Sequence, residues 1–220
     1  MALILHSAWR ASAPYRVRIG LALKGVEYDY QAIDLIAGQQ REAAYRAVNP
    51  QGLTPALDLG DGTILAQSLA ILEWLEETRP QPPILPRSAL DRAIVRRMAG
   101  IVACDIHPLN NTRVGAWLRE HGVPDDVVVK DWIQTWIRDG FDALEPLIAQ
   151  HGGQFAFGDS PTIADCCLVP QVYSARRFKL DLTPWPALVG AADHAAELPA
   201  FKAAHPDNQP DAQVPVKGAQ

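Results

Sequence analysis

The run Asn49-Pro50-Gln51-Gly52-Leu53-Thr54-Pro55-Ala56-Leu57-Asp58-Leu59-Gly60-Asp61-Gly62-Thr63-Ile64-Leu65-Ala66-Gln67-Ser68 places two short apolar stretches, Pro55 to Leu59 and Thr63 to Ala66, on either side of Gly60-Asp61-Gly62. Glycines flanking an aspartate supply the backbone freedom of a tight hairpin, so the two stretches are expected to pair antiparallel. A helix is expected from Ser68 to Glu77. Upstream, Leu3-Ile4-Leu5 reads as a strand, and Tyr15 to Lys24 as a helix ended by Lys24-Gly25, a cation in the last turn followed by the residue best suited to a left-handed cap. Tyr28 to Asp34 reads as a second strand and Arg41 to Ala47 as a second helix.

That order, β-α-β-α-β-β-α, is the thioredoxin-like arrangement. Its usual functional positions are the start of the first helix and the residue before the proline that opens the third strand, here Thr54 before Pro55. Arg79-Pro80-Gln81-Pro82-Pro83-Ile84-Leu85-Pro86 carries four prolines in eight residues, which neither a helix interior nor a central strand accommodates. Beyond this linker the pattern is helical: Ile94, Met98, Ile101 and Val102 form one core-facing stripe, and Val129, Trp132, Ile133, Trp136, Ile137 and Leu144 another. Pro108 should bend or end the first of these helices beside Asp105 and His107. The expected architecture is an α/β thioredoxin-like domain over residues 1–79, a linker over 80–88 and an all-α domain over 89–220. Thr162-Ile163-Ala164-Asp165 fits a capping box, which makes Asp165 a helix cap rather than a catalytic acid, and the tail after Lys202 reads as loose.

With 220 residues, 48% of them hydrophobic, the chain is long enough to bury a sizeable core. A net charge of -5 gives no global attraction to nucleic acid or anionic lipid, so an anionic ligand must be met by a local cluster. No stretch has the length of a membrane span or the form of a signal peptide, and the reading is cytoplasmic. The three cysteines and six histidines lack metal-ligand spacing, so no metal is expected, and the cysteines read as ordinary buried thiols.

Trp9-Arg10-Ala11-Ser12-Ala13-Pro14 leads from the first strand into the first helix and lays unpaired amides beside Ser12, a place to hold an anion. Locally, Ser12 also reads as a plain N-cap. A similar geometry is expected at Gln67-Ser68, where a carboxylate can accept from the Ser68 amide and hydroxyl together.

Taken together, Arg10-x-Ser12, Tyr15-Arg16-Val17-Arg18-Ile19, Leu23-Lys24-Gly25, Asn49 to Pro55 and Gln67-Ser68-Leu69-Ala70-Ile71 resemble the zeta class of glutathione transferases. Cys104-Asp105-Ile106-His107-Pro108-Leu109-Asn110-Asn111, Gly158 to Asp165, Leu168 to Val172 and Ala175-Arg176-Arg177-Phe178 are similar to the maleylacetoacetate and maleylpyruvate isomerases of that class. The resemblance runs from about Leu3 to Asp211 and implies the two-domain glutathione-transferase architecture.

It also implies glutathione as cofactor, with Thr54 before a cis Pro55 pairing with its cysteinyl backbone, Gln67 and Ser68 holding its γ-glutamyl end, and Gln40 touching it from the side. His107, Asn110, Asn111 and Arg113 would line the site, and Arg10 and Arg177 would face an acidic substrate, since guanidinium groups bind carboxylates bidentately. The family usually reads Ser-Ser-Cys where this chain has Ala11-Ser12-Ala13, and the hydroxyl that stabilises the thiolate belongs to the first serine. Here Ser12 is left as the catalytic hydroxyl. The implied activity is glutathione-dependent cis-trans isomerisation of an unsaturated dicarboxylic acid from aromatic breakdown, maleylacetoacetate foremost. The alternatives are maleylpyruvate, transfer to halogenated acids, or a non-catalytic binding protein on the same fold. The resemblance implies a homodimer as well.

Overall fold

The computed structural model describes residues 2–213. The described residues form two compact units, one made of those up to Pro83 together with Leu198 to Gln213, the other of Ile84–Glu197.

In the first unit β1 (Ile4–Ser7), α1 (Ser12–Leu23), β2 (Asp29–Ala32), α2 (Ala43–Val48), β3 (Ala56–Asp58), β4 (Ile64–Ala66) and α3 (Ser68–Thr78) follow in the expected order. The sheet runs β2-β1-β3-β4, with β1 parallel to β2, antiparallel to β3, and β3 antiparallel to β4. Leu3, Leu5, Val17, Leu21, Leu57, Ile71 and Leu75 form its core, so the apolar residues of α1 and α3 close on the central strands. Gly20 permits the closest approach of the two helices, since a Cβ there would collide with Leu72 Cδ2. Gly25 takes the left-handed φ of +62° that the Lys24-Gly25 signal requires. Lys24 does more than face the helix dipole: its buried Nζ donates to Glu76 Oε2 and to the Pro82 carbonyl, each at 2.6 Å, tying the end of α1 to α3 and the linker.

The second unit comprises α4 (Ala89–Gly100), α5 (Thr112–Glu120), α6 (Asp125–Val127), α7 (Gln134–His151), α8 (Ile163–Arg177) and α9 (Pro186–Ala196). Two π-helical turns, Ile101–Ile106 after α4 and Val128–Ile133 before α7, shift the apolar stripes away from a 3.6-residue period. Val128, Ile133, Ile137, Phe141 and Leu144 are buried, while Val129, Trp132 and Trp136 are only half-buried, because the π turn inserts a step of five residues between Val128 and Ile133. On α4, Val95 and Met98 are buried and Ile94 only partly so. The π turn after α4 ends at Ile106, two residues before Pro108, as the proline demands. Within it Val102 and Ile106 face inward, which leaves Cys104 exposed instead of buried; Cys166 and Cys167 lie in the core.

Asp165 is the expected helix cap. Its carboxylate accepts from the Thr162 amide at 2.8 Å, the Thr162 hydroxyl at 3.0 Å and the Ala156 amide at 2.8 Å, while the Thr162 hydroxyl accepts from the Ala164 amide at 3.2 Å. Complete burial pushes the carboxyl up to about 6 despite these donors.

The C-terminal segment departs from the expected 89–220 domain. α10 (Pro199–Ala204) packs on α1, and 3-10 turns Pro206–Asn208 and Pro210–Gln213 follow, so Leu198 to Gln213 belongs to the first unit, and the stretch after Lys202, expected to be loose, forms helical turns as far as Gln213. The anchor is Arg18, fully buried, whose Nε donates to the Ala204 carbonyl at 3.0 Å. The remainder of that tail, residues 214–220, lies outside the described residues. Among the described residues no helix is long and apolar enough to cross a membrane.

Candidate active site

In the first unit the chain leaves β1, closes a turn in which the Ala11 amide donates to the Ala8 carbonyl at 3.1 Å, and enters α1. Ala11 is the N-cap and offers no side-chain cap; Ser12 is therefore the first helical residue rather than the cap, its hydroxyl not spent on the helix's own amides. The first turn of α1 holds no acidic residue of its own to offset its positive end. Arg10 is half-buried, its guanidinium 5.2 Å from the Trp9 ring centroid.

α3 begins in the same way. Its N-cap, Gln67, makes no side-chain cap and sits at φ 68° and ψ 114°, a conformation that residues with a Cβ seldom adopt. The Gln67 side chain donates from Nε2 to Gln51 Oε1 at 2.8 Å. Ser68 is buried, and Arg16 Nη1, one turn beyond Ser12 on α1, donates to its hydroxyl at 3.3 Å. The second turn of α1 thus meets the start of α3 through a buried cation.

Thr54 is half-buried at the entry to β3, and its bond to Pro55 is cis. Two residues hold this segment, Asn49 at the start of the quoted run and Tyr45, which the sequence did not single out: the Tyr45 hydroxyl and Asn49 Nδ2 both donate to the Leu53 carbonyl, each at 2.7 Å. Gln40 lies in the 3-10 turn Gln39–Arg41, and a Cβ on Gly52 would stand 3.0 Å from its carbonyl oxygen, so this turn abuts the Asn49 to Pro55 segment. Gln40 Nε2 reaches the Leu35 carbonyl at 3.4 Å, while its Oε1 is buried without a hydrogen-bond partner among the described residues.

In the second unit His107, Asn110, Asn111 and Arg113 cluster where the π turn gives way to α5. Asn111 is the N-cap of α5: its Oδ1 accepts from the Arg113 amide at 3.1 Å, and its Nδ2 lies 3.5 Å from His107 Nε2. Asn110 is buried with Nδ2 unpartnered among the described residues, and Arg113 is exposed. Trp132 also proves part of this turn, donating from Nε1 to the Leu109 carbonyl at 2.7 Å. Arg177 lies on another element, the last turn of α8, exposed beside the rings of Tyr173 and Phe178 at 6.0 and 5.5 Å.

These elements have close relatives among known proteins. Residues 12–78 match the glutathione S-transferase N-terminal domain and residues 127–201 the glutathione S-transferase C-terminal domain. Maleylpyruvate isomerase of Ralstonia sp is 50% identical over 94% of this chain and 98% of its own, and the chain belongs to the glutathione S-transferase family. Maleylacetoacetate isomerase of Pseudomonas aeruginosa is 48% identical over 94% of this chain and 97% of its own. A crystal structure of maleylacetoacetate isomerase from Anaeromyxobacter dehalogenans 2CP-1 is superimposable with a TM-score of 0.87 at 46% identity, covering 96% of this chain and 97% of that one. Its active site holds dicarboxyethyl glutathione and citrate.

The residues present in the first unit fit glutathione. A tripeptide with two carboxylates and a thiol needs open amide donors for its anionic groups and an acceptor for its own N–H groups. The uncapped starts of α1 and α3 and the cationic Arg16 behind Ser68 are such donors, and the unpartnered Gln40 Oε1 is such an acceptor.

Proposed function

We propose that the protein is a glutathione-dependent cis-trans isomerase of an unsaturated dicarboxylic acid from aromatic catabolism, with maleylacetoacetate as substrate and fumarylacetoacetate as product. The observation that carries this reading is the pair of uncapped helix starts joined through Arg16 and Ser68, in a chain about half identical to isomerases of this kind.

Bound glutathione supplies a thiolate that adds to the cis double bond and departs again once the resulting single bond has rotated. The chain's own residues supply the rest. Gln67 and Ser68 hold the γ-glutamyl carboxylate, Thr54 pairs with the cysteinyl backbone, and Gln40 accepts from the side. Ser12 and the amides of the first turn of α1 hold the sulfur as an anion. A free thiol titrates near 8.5, so making the thiolate the majority form at pH 7 needs a drop of about 2 units, or about 2.7 kcal/mol. One hydrogen bond to a charged group contributes roughly 1.5 to 3 kcal/mol and a helix start roughly 0.3 to 1, which covers the hydroxyl missing at Ala11. Arg10 and Arg177 each hold a substrate carboxylate and stabilise the negative charge that develops on addition. His107, Asn110, Asn111 and Arg113 line the substrate side, with the Asn110 amide free to donate. The reading places the protein in the cytoplasm as a homodimer, and a stable monomer in light scattering would remove the dimer.

The test is to mix the purified protein with maleylacetoacetate and follow product through fumarylacetoacetase, with and without glutathione. Fast, strictly glutathione-dependent turnover is expected. Glutathione binding without turnover, on this substrate and on maleylpyruvate, would overturn the reading.

A further inference from the structure

The Trp9 peptide is held from both sides by residues remote in sequence. Its amide donates to Asp211 Oδ2 at 3.0 Å, and its carbonyl accepts from Arg18 Nη2 at 2.8 Å. The amide belongs to the peptide plane before Trp9 and the carbonyl to the plane after it, so fixing both fixes φ and ψ of Trp9 and thereby the direction in which Arg10 and Ser12 leave the turn. Neither holder is itself free to drift. Arg18 is fully buried and also donates from Nη1 to Ser7 Oγ at 3.1 Å and from Nε to the Ala204 carbonyl at 3.0 Å. Asp211, carried by the turn Pro210–Gln213, accepts through its second oxygen from the Tyr30 hydroxyl of β2 at 2.7 Å.

We infer that Asp211 is a positioning residue for the reaction, one that clamps the Trp9 peptide so that Arg10 and Ser12 are aimed before any ligand binds. This rests on the reading above in which Arg10 and Ser12 act on substrate and thiolate. A carboxylate accepting an amide hydrogen bond is a charge-assisted contact, stronger than the water contact that would replace it. Its removal leaves the Trp9 amide unheld, so the peptide plane before Trp9 loses its anchor while Arg18 still holds the Ala8 and Trp9 carbonyls. Displacements of about 1 Å at a reacting centre cost up to roughly a hundredfold in rate.

The experiment uses the full chain with Asp211→Ala, Asp211→Asn and Tyr30→Phe. In Asp211→Ala, hydrogen exchange of the Trp9 to Ser12 amides should speed up roughly tenfold, and kcat should fall roughly tenfold or more. KM for glutathione should stay within about twofold, because Thr54, Gln67 and Ser68 stand on other elements. Asp211→Asn keeps an oxygen for the Trp9 amide and should recover most of the turnover. Unchanged exchange in Asp211→Ala, or a parallel loss of glutathione affinity and turnover, would overturn the inference. Should Asp211→Ala not fold, Asp211→Asn and Tyr30→Phe decide: Tyr30→Phe releases one side of the carboxylate and should raise Trp9 exchange, and an unchanged value overturns the clamp. Exchange is read without glutathione or substrate, so a wild type that isomerises nothing counts against the proposed function, whereas the exchange result alone judges the clamp.

Discussion

Arg16 Nη1 lies 3.3 Å from the Ser68 hydroxyl, and the whole Arg16 residue is only 2% exposed. A guanidinium is thereby kept out of solvent directly behind the start of α3. Arg16→Met retains the bulk and removes the charge. Its expected effect is a five- to tenfold weaker glutathione Kd, about 1 to 1.4 kcal/mol, measured by calorimetry. An unchanged Kd would show that the cation contributes packing alone.

Arg177 is exposed and sits in the last turn of α8, so its truncation should leave folding intact. Arg177→Ala is expected to lower isomerase kcat/KM roughly a hundredfold while the glutathione Kd stays within about twofold. Steady-state kinetics set beside equilibrium binding decide it. A parallel decline of both quantities would argue against a role on the substrate.

Gly140 on α7 makes room for Ile106, and a Cβ there would collide with Ile106 Cγ1 and Cδ1. Ile106 is fully buried and immediately precedes His107. Overpacking of this kind costs about 1 to 3 kcal/mol, so Gly140→Ala should lower Tm by several degrees. Adding Ile106→Val deletes the outermost colliding carbon and should restore part of the loss. Thermal melts of the single and double variants provide the check.

Asp165 introduces a pH dependence of definite sign. Its carboxyl is pushed up to about 6 in the fold, above the usual carboxylate range, chiefly by burial. A raised value means that the folded state keeps the proton longer than the unfolded chain. The contribution to stability is therefore complete below about pH 4 and is lost as pH rises through about 6. About two pH units at ~1.4 kcal/mol each put the change on the order of 3 kcal/mol. The stability difference between wild type and Asp165→Asn, from urea unfolding, should shrink by that amount between pH 4 and pH 7. A difference that does not vary with pH would contradict the prediction.

Features set by neighbouring residues were legible in the sequence. The Gly60-Asp61-Gly62 hairpin, the left-handed cap at Gly25 and the Thr162 to Asp165 capping box each depend on a few adjacent side chains, and each is present. Features set by a change of step or by distance were not. A reading at 3.6 residues per turn cannot register a π turn, so Val129 and Trp136 were expected inside in place of Val128. Propensity favours Ser12 as a cap, yet the Ala8 to Ala11 turn starts the helix one residue earlier and makes Ala11 the cap. Within the candidate site, the residues marked by motif were found in the sequence, but their supports were not. Tyr45 acts on the Leu53 carbonyl, Trp132 on the Leu109 carbonyl and Asp211 on the Trp9 amide, bonds between residues too far apart in sequence to leave a local signature.

The return of Leu198 to Gln213 to the first unit bears on the order of events during synthesis. Ribosomes deliver the chain from its N-terminus, and a domain made of one continuous stretch can fold once that stretch has emerged. The helical unit is such a stretch, whereas the sheet unit lacks α10 and the Asp211 turn until nearly everything else has been translated. The half of the protein that is made first is therefore finished last, and Arg18 Nε must wait for Ala204 to leave the ribosome before it has its acceptor.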